Sequence, residues 1–358
     1  MAHAPTNIST LRAAVPEQCF DVNAFKSIAY LVFDLCLIAA CYGVLSQVSV
    51  WYIEWPLIFL IGTLLWSIFV LGHDAGHGVF VRSRIGNTIW GTLMHGALLV
   101  PFRAWQRSHA LHHANTGHLD KEEVFRACRK PQDRWFRKVL FRSGIFLGLG
   151  WPMYKLGFRN IGTYSPIKGS HFLPTSTLMA PHIRGSWYAG LIVALLFGGA
   201  YVGLAMIYGW GFFAKYILAP YLIYGAWLTF VTWMQHVSED VPVYQANDWT
   251  FLKGSLCSVD RNYGAFNWLT HNTGNYHVIH HLFPTIPHYH LKAATEAVRP
   301  LLGETYLRSD RFVLFDFVRS LLNCHHVVSA DGRETYRSEY PFSRTYERAE
   351  INDTVSAQ

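Results

Sequence analysis

Nineteen histidines are spread over 358 residues, and eight of them fall into three compact groups. The first is His73-Asp-Ala-Gly-His77, the second His109-Ala-Leu-His112-His113, and the third His277-Val-Ile-His280-His281. On an α-helix, residues four apart differ in direction by about 40° and residues three apart by about 60°. Each group therefore sets its imidazoles on one helix face and forms a chelating edge. The chemistry open to such edges is metal binding.

Eight imidazoles exceed the coordination sphere of one octahedral metal, so their number implies two. Imidazole nitrogen suits iron, copper, zinc and nickel. The six cysteines contain no CxxC pair, which excludes a zinc ribbon and leaves no thiolate set for softer metals. A lone HxxxH fits a structural histidine pair equally well; HxxHH occurring twice does not. His236, just beyond the last apolar run, is the first candidate for a ninth ligand. His271 comes next, and then Asn267 acting through a water. Metal-bound histidines usually give their outer ring nitrogen to a carboxylate or carbonyl. Asp74 and Asp260 lead the candidates for that role, with Asp120, Glu122, Glu123, Glu239 and Asp240 also nearby in sequence. His95, His118, His171, His288, His290, His325 and His326 are expected at the surface or in supporting positions.

The elements that must position these groups are long apolar runs. A bilayer core of about 30 Å takes roughly 20 helical residues, and four stretches qualify: 27–50, 55–72, 187–209 and 212–234. Trp51, Tyr52, Trp55, Trp187, Tyr188, Tyr208 and Trp210 mark their ends as an interfacial aromatic belt. The expected fold is all-α and membrane-integral, with two helical hairpins and a helical cap that carries the histidines. A shorter apolar piece, 89–102, is expected to be interfacial or half-inserted. Asp34 falls within the first run, where it either lines the bundle interior or sits near the headgroups of a shifted span, with the second placement slightly favoured.

Two crossings separate the second histidine group from the third, so all eight rings can meet on one side. The stretch from His73 to Ser186 holds 16 Lys and Arg against 5 Asp and Glu, whereas the hairpin turns hold no Lys or Arg. The positive-inside rule then puts the large loop, the histidines and both termini in the cytoplasm. The formal charge of +7 borders apolar spans, which favours lipid headgroups over nucleic acid as its partner. The expected organisation is a cytoplasmic segment 1–26, one domain over 27–340 and a tail 341–358.

Over nearly its whole length the chain resembles the membrane fatty acid desaturases. The resemblance rests on the three histidine groups in order with paired spans between. It rests also on Gly72-His-Asp-Ala-Gly-His-Gly78, the stretch Ser108–His118, the run Val259–Gly264, and His277-Val-Ile-His-His-Leu-Phe-Pro-Thr-Ile-Pro-His-Tyr-His290. The last stretch is most similar to omega-3 enzymes, which act toward the methyl end of the acyl chain, whereas Asp120–Phe125 is closer to the oleoyl-acting group. Ala75, Asn262 and Gln235 depart from the family pattern, where Cys, Asp and His are common. These departures bear on double-bond position and leave the eight ligand candidates intact.

The resemblance implies two non-haem iron ions that use dioxygen to desaturate an acyl-lipid or acyl-CoA chain. Hydroxylase, epoxygenase and acetylenase outcomes share that centre. It also implies an external electron donor, ferredoxin or a b-type cytochrome, since the chain has no haem, flavin or nicotinamide motif of its own. Arg126, Arg129 and Lys130 are candidates for docking an acidic carrier, and equally for meeting lipid headgroups. A zinc hydrolase is disfavoured by the absence of HExxH. The membrane expected is the endoplasmic reticulum or a bacterial inner or thylakoid-type membrane.

Overall fold

A computed structural model describes residues 7–122, 124, 127, 148–157, 169–324, 326–330 and 333–337. Its helices, in chain order, are α1 (Ile8–Ala14), α2 (Ala24–Leu45), α3 (Trp51–His77), α4 (Arg84–Ala97), α5 (Phe102–Asn115), α6 (Gly150–Leu156), α7 (Arg184–Tyr208), α8 (Trp210–His236), α9 (Phe251–Ser255), α10 (Phe266–Leu269), α11 (His277–Leu282), α12 (Leu291–Leu302) and α13 (Val313–Asn323). Sheet is confined, among the described residues, to two short pairs. β1 (Asp260–Arg261) runs parallel to β2 (Arg308–Ser309), and β3 (His326–Ala330) antiparallel to β4 (Arg333–Arg337). The tail 341–358 and the basic residues Arg126, Arg129 and Lys130 lie outside the described residues.

Four helices are long and apolar enough to cross a membrane: α2, α3, α7 with its leading turn, and α8. They form the two expected hairpins, α2–α3 and α7–α8. The bounds differ from the apolar runs in one consequential way. α3 does not stop at Gly72 but continues to His77, where Gly78 closes it in the left-handed region at φ +81°. Glycine supplies that cap without a Cβ penalty. The first histidine group is thus the last turn of a spanning helix and not a loop after it.

Spans two and four form the centre of the bundle. A Cβ on Gly62 would lie 2.5 Å from the Ile223 side chain and 2.8 Å from the Pro220 carbonyl, so only glycine allows this approach. Trp227 Nε1 donates to Thr63 Oγ1 across the same seam at 2.8 Å. Pro220 has no N–H for the Tyr216 carbonyl one turn back, and the helix widens into a π-turn over Phe213–Leu218. The Tyr42 hydroxyl donates to that freed carbonyl at 2.7 Å, which ties span one to span four where lipid offers no partner. Near the same end of the bundle Lys215 pairs with Glu54 at 2.6 Å.

The apolar piece expected over 89–102 is divided otherwise. α4 begins at Arg84 and ends at Ala97, with Ile85, Ile89 and Leu93 exposed at helical spacing, and Phe102 opens α5. Asp34 also departs from the favoured placement. It is fully buried inside the bundle, and His271 Nε2 stands 2.8 Å from its Oδ2. A charge in a span is costly without a partner, and a histidine 237 residues away supplies one.

Candidate metal centre

Four elements converge at one end of the bundle. The last turn of α3 brings His73 and His77, and α5 brings His109, His112 and His113. α8 ends on His236, and α11 presents His277, His280 and His281. Close packing aligns the first two, since a Cβ on Gly76 would meet the Trp105 ring of α5 at 2.7 Å. A Cβ on Gly72 would meet the His95 ring at 2.3 Å, so α3 and α4 approach only because that position is bare. His95 itself, stacked on Phe69 at 4.4 Å with Nε2 3.2 Å from the Phe69 carbonyl, is a packing residue.

The nine rings divide into two groups. His73, His77, His109, His113 and His280 each offer a nitrogen within 4.8 Å of the others, and so do His112, His236 and His281. His277 joins the second group, its Nε2 lying 2.9 Å from the Nε2 atoms of both His236 and His281. In the first group Nε2 atoms approach at 3.0 Å (His77 and His109), 3.1 Å (His109 and His113) and 3.1 Å (His113 and His280). His112 and His236 approach at 3.2 Å. The two groups abut, with the His113 and His281 rings stacked at 4.2 Å.

These separations fit a metal. Imidazole ligands sit at about 2.0–2.1 Å from a first-row ion, so adjacent ligands of an octahedron lie roughly 3.0 Å apart. Burial, then the neighbouring rings, holds His109, His113, His277, His280 and His281 well below the ordinary histidine range. They are neutral at physiological pH, the form that ligates. Lone pairs facing one another at 3 Å across a dry interior are poor company for each other and good company for a cation.

Outer partners orient the rings. His112 Nδ1 lies 2.8 Å from Glu122 Oε1, which also accepts the Val124 N–H at 3.0 Å. His236 Nδ1 faces the Cys257 carbonyl at 3.4 Å. Asp74 is 3.7 Å from His73 Nδ1, and its Oδ2 takes the ring and backbone N–H groups of His288 at 2.8 and 3.1 Å. Asp260 works through the backbone and not through a ring. Its Oδ1 accepts the Val278 N–H at 2.8 Å, at the start of α11, and Tyr306 donates to Oδ2 at 2.5 Å. Burial pushes the Asp260 carboxyl up to about 7.

Two candidates lie elsewhere. His271 joins neither group because its Nε2 is engaged by Asp34. Both ends of the Asn267 amide are also used: Oδ1 accepts from Tyr263 N at 3.0 Å, and Nδ2 donates to Asn262 at 2.6 Å. Glu122 and His288 carry more than sequence position suggested. Only the HxxHH-to-acid spacing of ten residues hinted at Glu122, and His288 had no signal beyond its proximity to the third group.

A model of the fatty acid desaturase family matches residues 49–312. The sn-1 acyl-lipid omega-3 desaturase (ferredoxin) of Synechocystis sp. is 38% identical, covering 93% of this chain and 92% of its own. The chloroplastic sn-2 acyl-lipid omega-3 desaturase (ferredoxin) of Arabidopsis thaliana is 36% identical over 95% of this chain and 77% of its own. The endoplasmic reticulum omega-3 desaturase of Nicotiana tabacum is 34% identical over 94% and 90%. With its spans, its clustered imidazoles and these relatives, this membrane chain belongs to the fatty acid desaturase family and is an O2-dependent oxidoreductase.

Proposed function

We propose that the chain is an omega-3-type acyl-lipid desaturase, placing a cis double bond toward the methyl end of an already unsaturated acyl chain. The chemistry of this reading is carried by the convergence of nine imidazoles in groups of five and four at one end of four apolar helices, and its regiochemistry is supported by the omega-3 desaturases that match the chain at 34–38% identity. In this reading His73, His77, His109, His113 and His280 hold one iron, and His112, His236, His277 and His281 the other. Bound iron supplies the oxidising power that dioxygen alone lacks against an unactivated C–H bond.

The chain's own residues prepare that chemistry. Glu122 and the Cys257 carbonyl engage the Nδ1 atoms of His112 and His236, so their Nε2 atoms face inward. Asp260 holds the start of α11, which keeps three imidazoles in register. Trp105 stacks on His109 at 4.8 Å and belongs to the apolar cluster with Phe69, Trp66 and Trp151, which excludes water beneath the rings. An acyl chain entering from the bilayer meets an apolar wall and then the centre.

The excess of Lys and Arg over 73–186 supports placing this end of the bundle in the cytoplasm, with both termini and one domain over 27–340. The names of the Synechocystis and Arabidopsis relatives support ferredoxin as electron donor and a lipid-borne substrate.

The test is expression in yeast fed linoleic acid and co-expressing a ferredoxin with its reductase, with fatty acids profiled by mass spectrometry and metal measured on purified protein. New α-linolenic acid and about two irons per chain are expected. Linoleic acid made from endogenous oleic acid would move the assignment to the oleoyl-acting group, and hydroxylated product to the hydroxylases. One zinc and no product would end it.

A further inference from the structure

α13 has its polarity inside out for a helix in water. Its Asp316 and Ser320 are buried alongside Phe317 and Leu321. The exposed positions are apolar: Leu314 (52%), Phe315 (63%), Val318 (50%) and Leu322 (49%), preceded by Phe312 (72%). Positions 314, 318 and 322 repeat every four residues, and 315 flanks them, so the four make one stripe. Burying a side chain of this size is worth about 1.5–3 kcal/mol. Five of them left in water would be a large loss, and a contiguous apolar face of this kind marks an interaction surface.

The buried face sets the height of the helix. Phe317 meets the Phe230 ring edge-on at 4.9 Å, and Trp233 Nε1 donates to Ser320 Oγ at 2.9 Å. Ser320 Oγ in turn donates to the Val237 carbonyl at 2.9 Å. Phe230 and Trp233 belong to the last two turns of span four, and Val237 caps it. α13 is therefore strapped to the end of a spanning helix with its stripe turned away from the bundle. The medium at that height is the boundary between headgroups and acyl chains, where in-plane amphipathic helices bury one face about 5–10 Å deep.

We infer that α13 is an in-plane membrane helix. Its Leu314, Phe315, Val318 and Leu322 face sits among the acyl chains of the leaflet next to the histidine centre, and the exposed Arg311, 3.9 Å from Asp316, meets lipid phosphate. Continuity with the spans makes the occupant lipid. The inference rests on α2, α3, α7 and α8 crossing a bilayer, not on which acyl chain is desaturated.

The opposite face gives this seating a consequence. Asp316 pairs with the buried Arg261, and Arg261 Nε donates to the Met234 carbonyl at 2.7 Å, two residues before His236. The neighbouring Asp260 holds α11. Lipid contact on one side of α13 thus braces two histidine-bearing elements on the other.

The test uses the full-length chain in phospholipid nanodiscs, with p-benzoylphenylalanine replacing Phe315 or Val318, and Glu304, exposed before β2, as the aqueous control. Irradiation is expected to give lipid adducts at 315 and 318 and none at 304. Cross-links from 315 and 318 to a second copy or to the chain's own 338–358 segment would overturn the inference, as would the absence of lipid adducts. Should the probe lower bound iron, Leu322→Cys labelled with bimane, in a Cys36→Ser, Cys128→Ser background, replaces it. At least twofold quenching by acyl-brominated lipid is expected; quenching by aqueous iodide alone contradicts the seating.

Discussion

Among the buried histidines, partner and not burial separates candidate ligands from structural rings. His236 ends α8 and His271 follows α10, and both are buried, yet one has its Nε2 among other imidazoles and the other has its Nε2 against Asp34. His236→Ala is expected to halve bound iron, to about one per chain. His271→Ala is expected to keep both irons and lower the melting temperature, since Asp34 loses its partner at a cost of roughly 1–3 kcal/mol. Metal analysis beside thermal unfolding distinguishes the two, and equal iron loss in both variants would refute the division. Glu122→Ala removes the acceptor for His112 and should weaken metal binding about 10–100-fold.

Lys155 gives a pH signature. It is buried on α6, donates to the Leu99 carbonyl and the Tyr221 hydroxyl at 2.8 Å each, and has no carboxylate partner among the described residues. Burial lowers its folded value to about 7, against about 10.4 for a free lysine. Between those values the unfolded chain binds the extra proton, so stability rises with pH from about 7 to about 10.4. Below the lower value both states are charged and the cost of burying the charge is complete. Melting curves of the wild type and Lys155→Met should therefore converge as pH rises over that window; parallel curves would show that the lysine is not desolvated.

At the scale of elements, short helices at the centre depend on caps and neighbours more than on their own propensity. α11 has six residues, too few to be stable alone. Asp260 supplies the acceptor for the free N–H of Val278, its second residue. Asp260→Ala should cost about 0.5–2 kcal/mol and reduce the iron held by the group containing His277 and His281. Asp260→Asn, which keeps an acceptor, should retain most of it. Calorimetry and metal content on the pair would show whether the cap is what matters. The long helices obey a different logic. α3 is apolar enough to be recognised over most of its length, but its last turn is helical because Gly78 ends it there and α4 and α5 pack against it.

For the whole molecule, metal held by the clustered imidazoles would also be a cross-link. It would join α3, α5, α8 and α11, which are otherwise held by apolar packing and a few buried hydrogen bonds. A ligand that binds only the folded state stabilises it by mass action. Stripping iron with a chelator should thus lower the melting temperature by a few degrees, since each kcal/mol moves it roughly 2–4 °C for domains of 150–250 residues and less for longer chains. Restoring ferrous iron should recover it. An unchanged melting temperature would mean that packing alone closes the cage.

The sequence by itself determined the class of chemistry and the membrane architecture. Histidine spacing is a local property, fixed by the 3.6-residue turn, and span length is fixed by bilayer thickness, so both are readable without coordinates. That His236 would lie near the other imidazoles was legible for the same reason, since the end of a span places it; its role as a ligand is part of the proposal. Partners distant in sequence were not legible. Only the tertiary structure divided nine rings into five and four, gave Asp34 to His271 and Asp74 to His288, and assigned Asp260 to a backbone N–H. It also turned the apolar face of α13 outward. Those outcomes depend on which side chains meet across packed helices, and no spacing rule within one helix encodes a contact made by another.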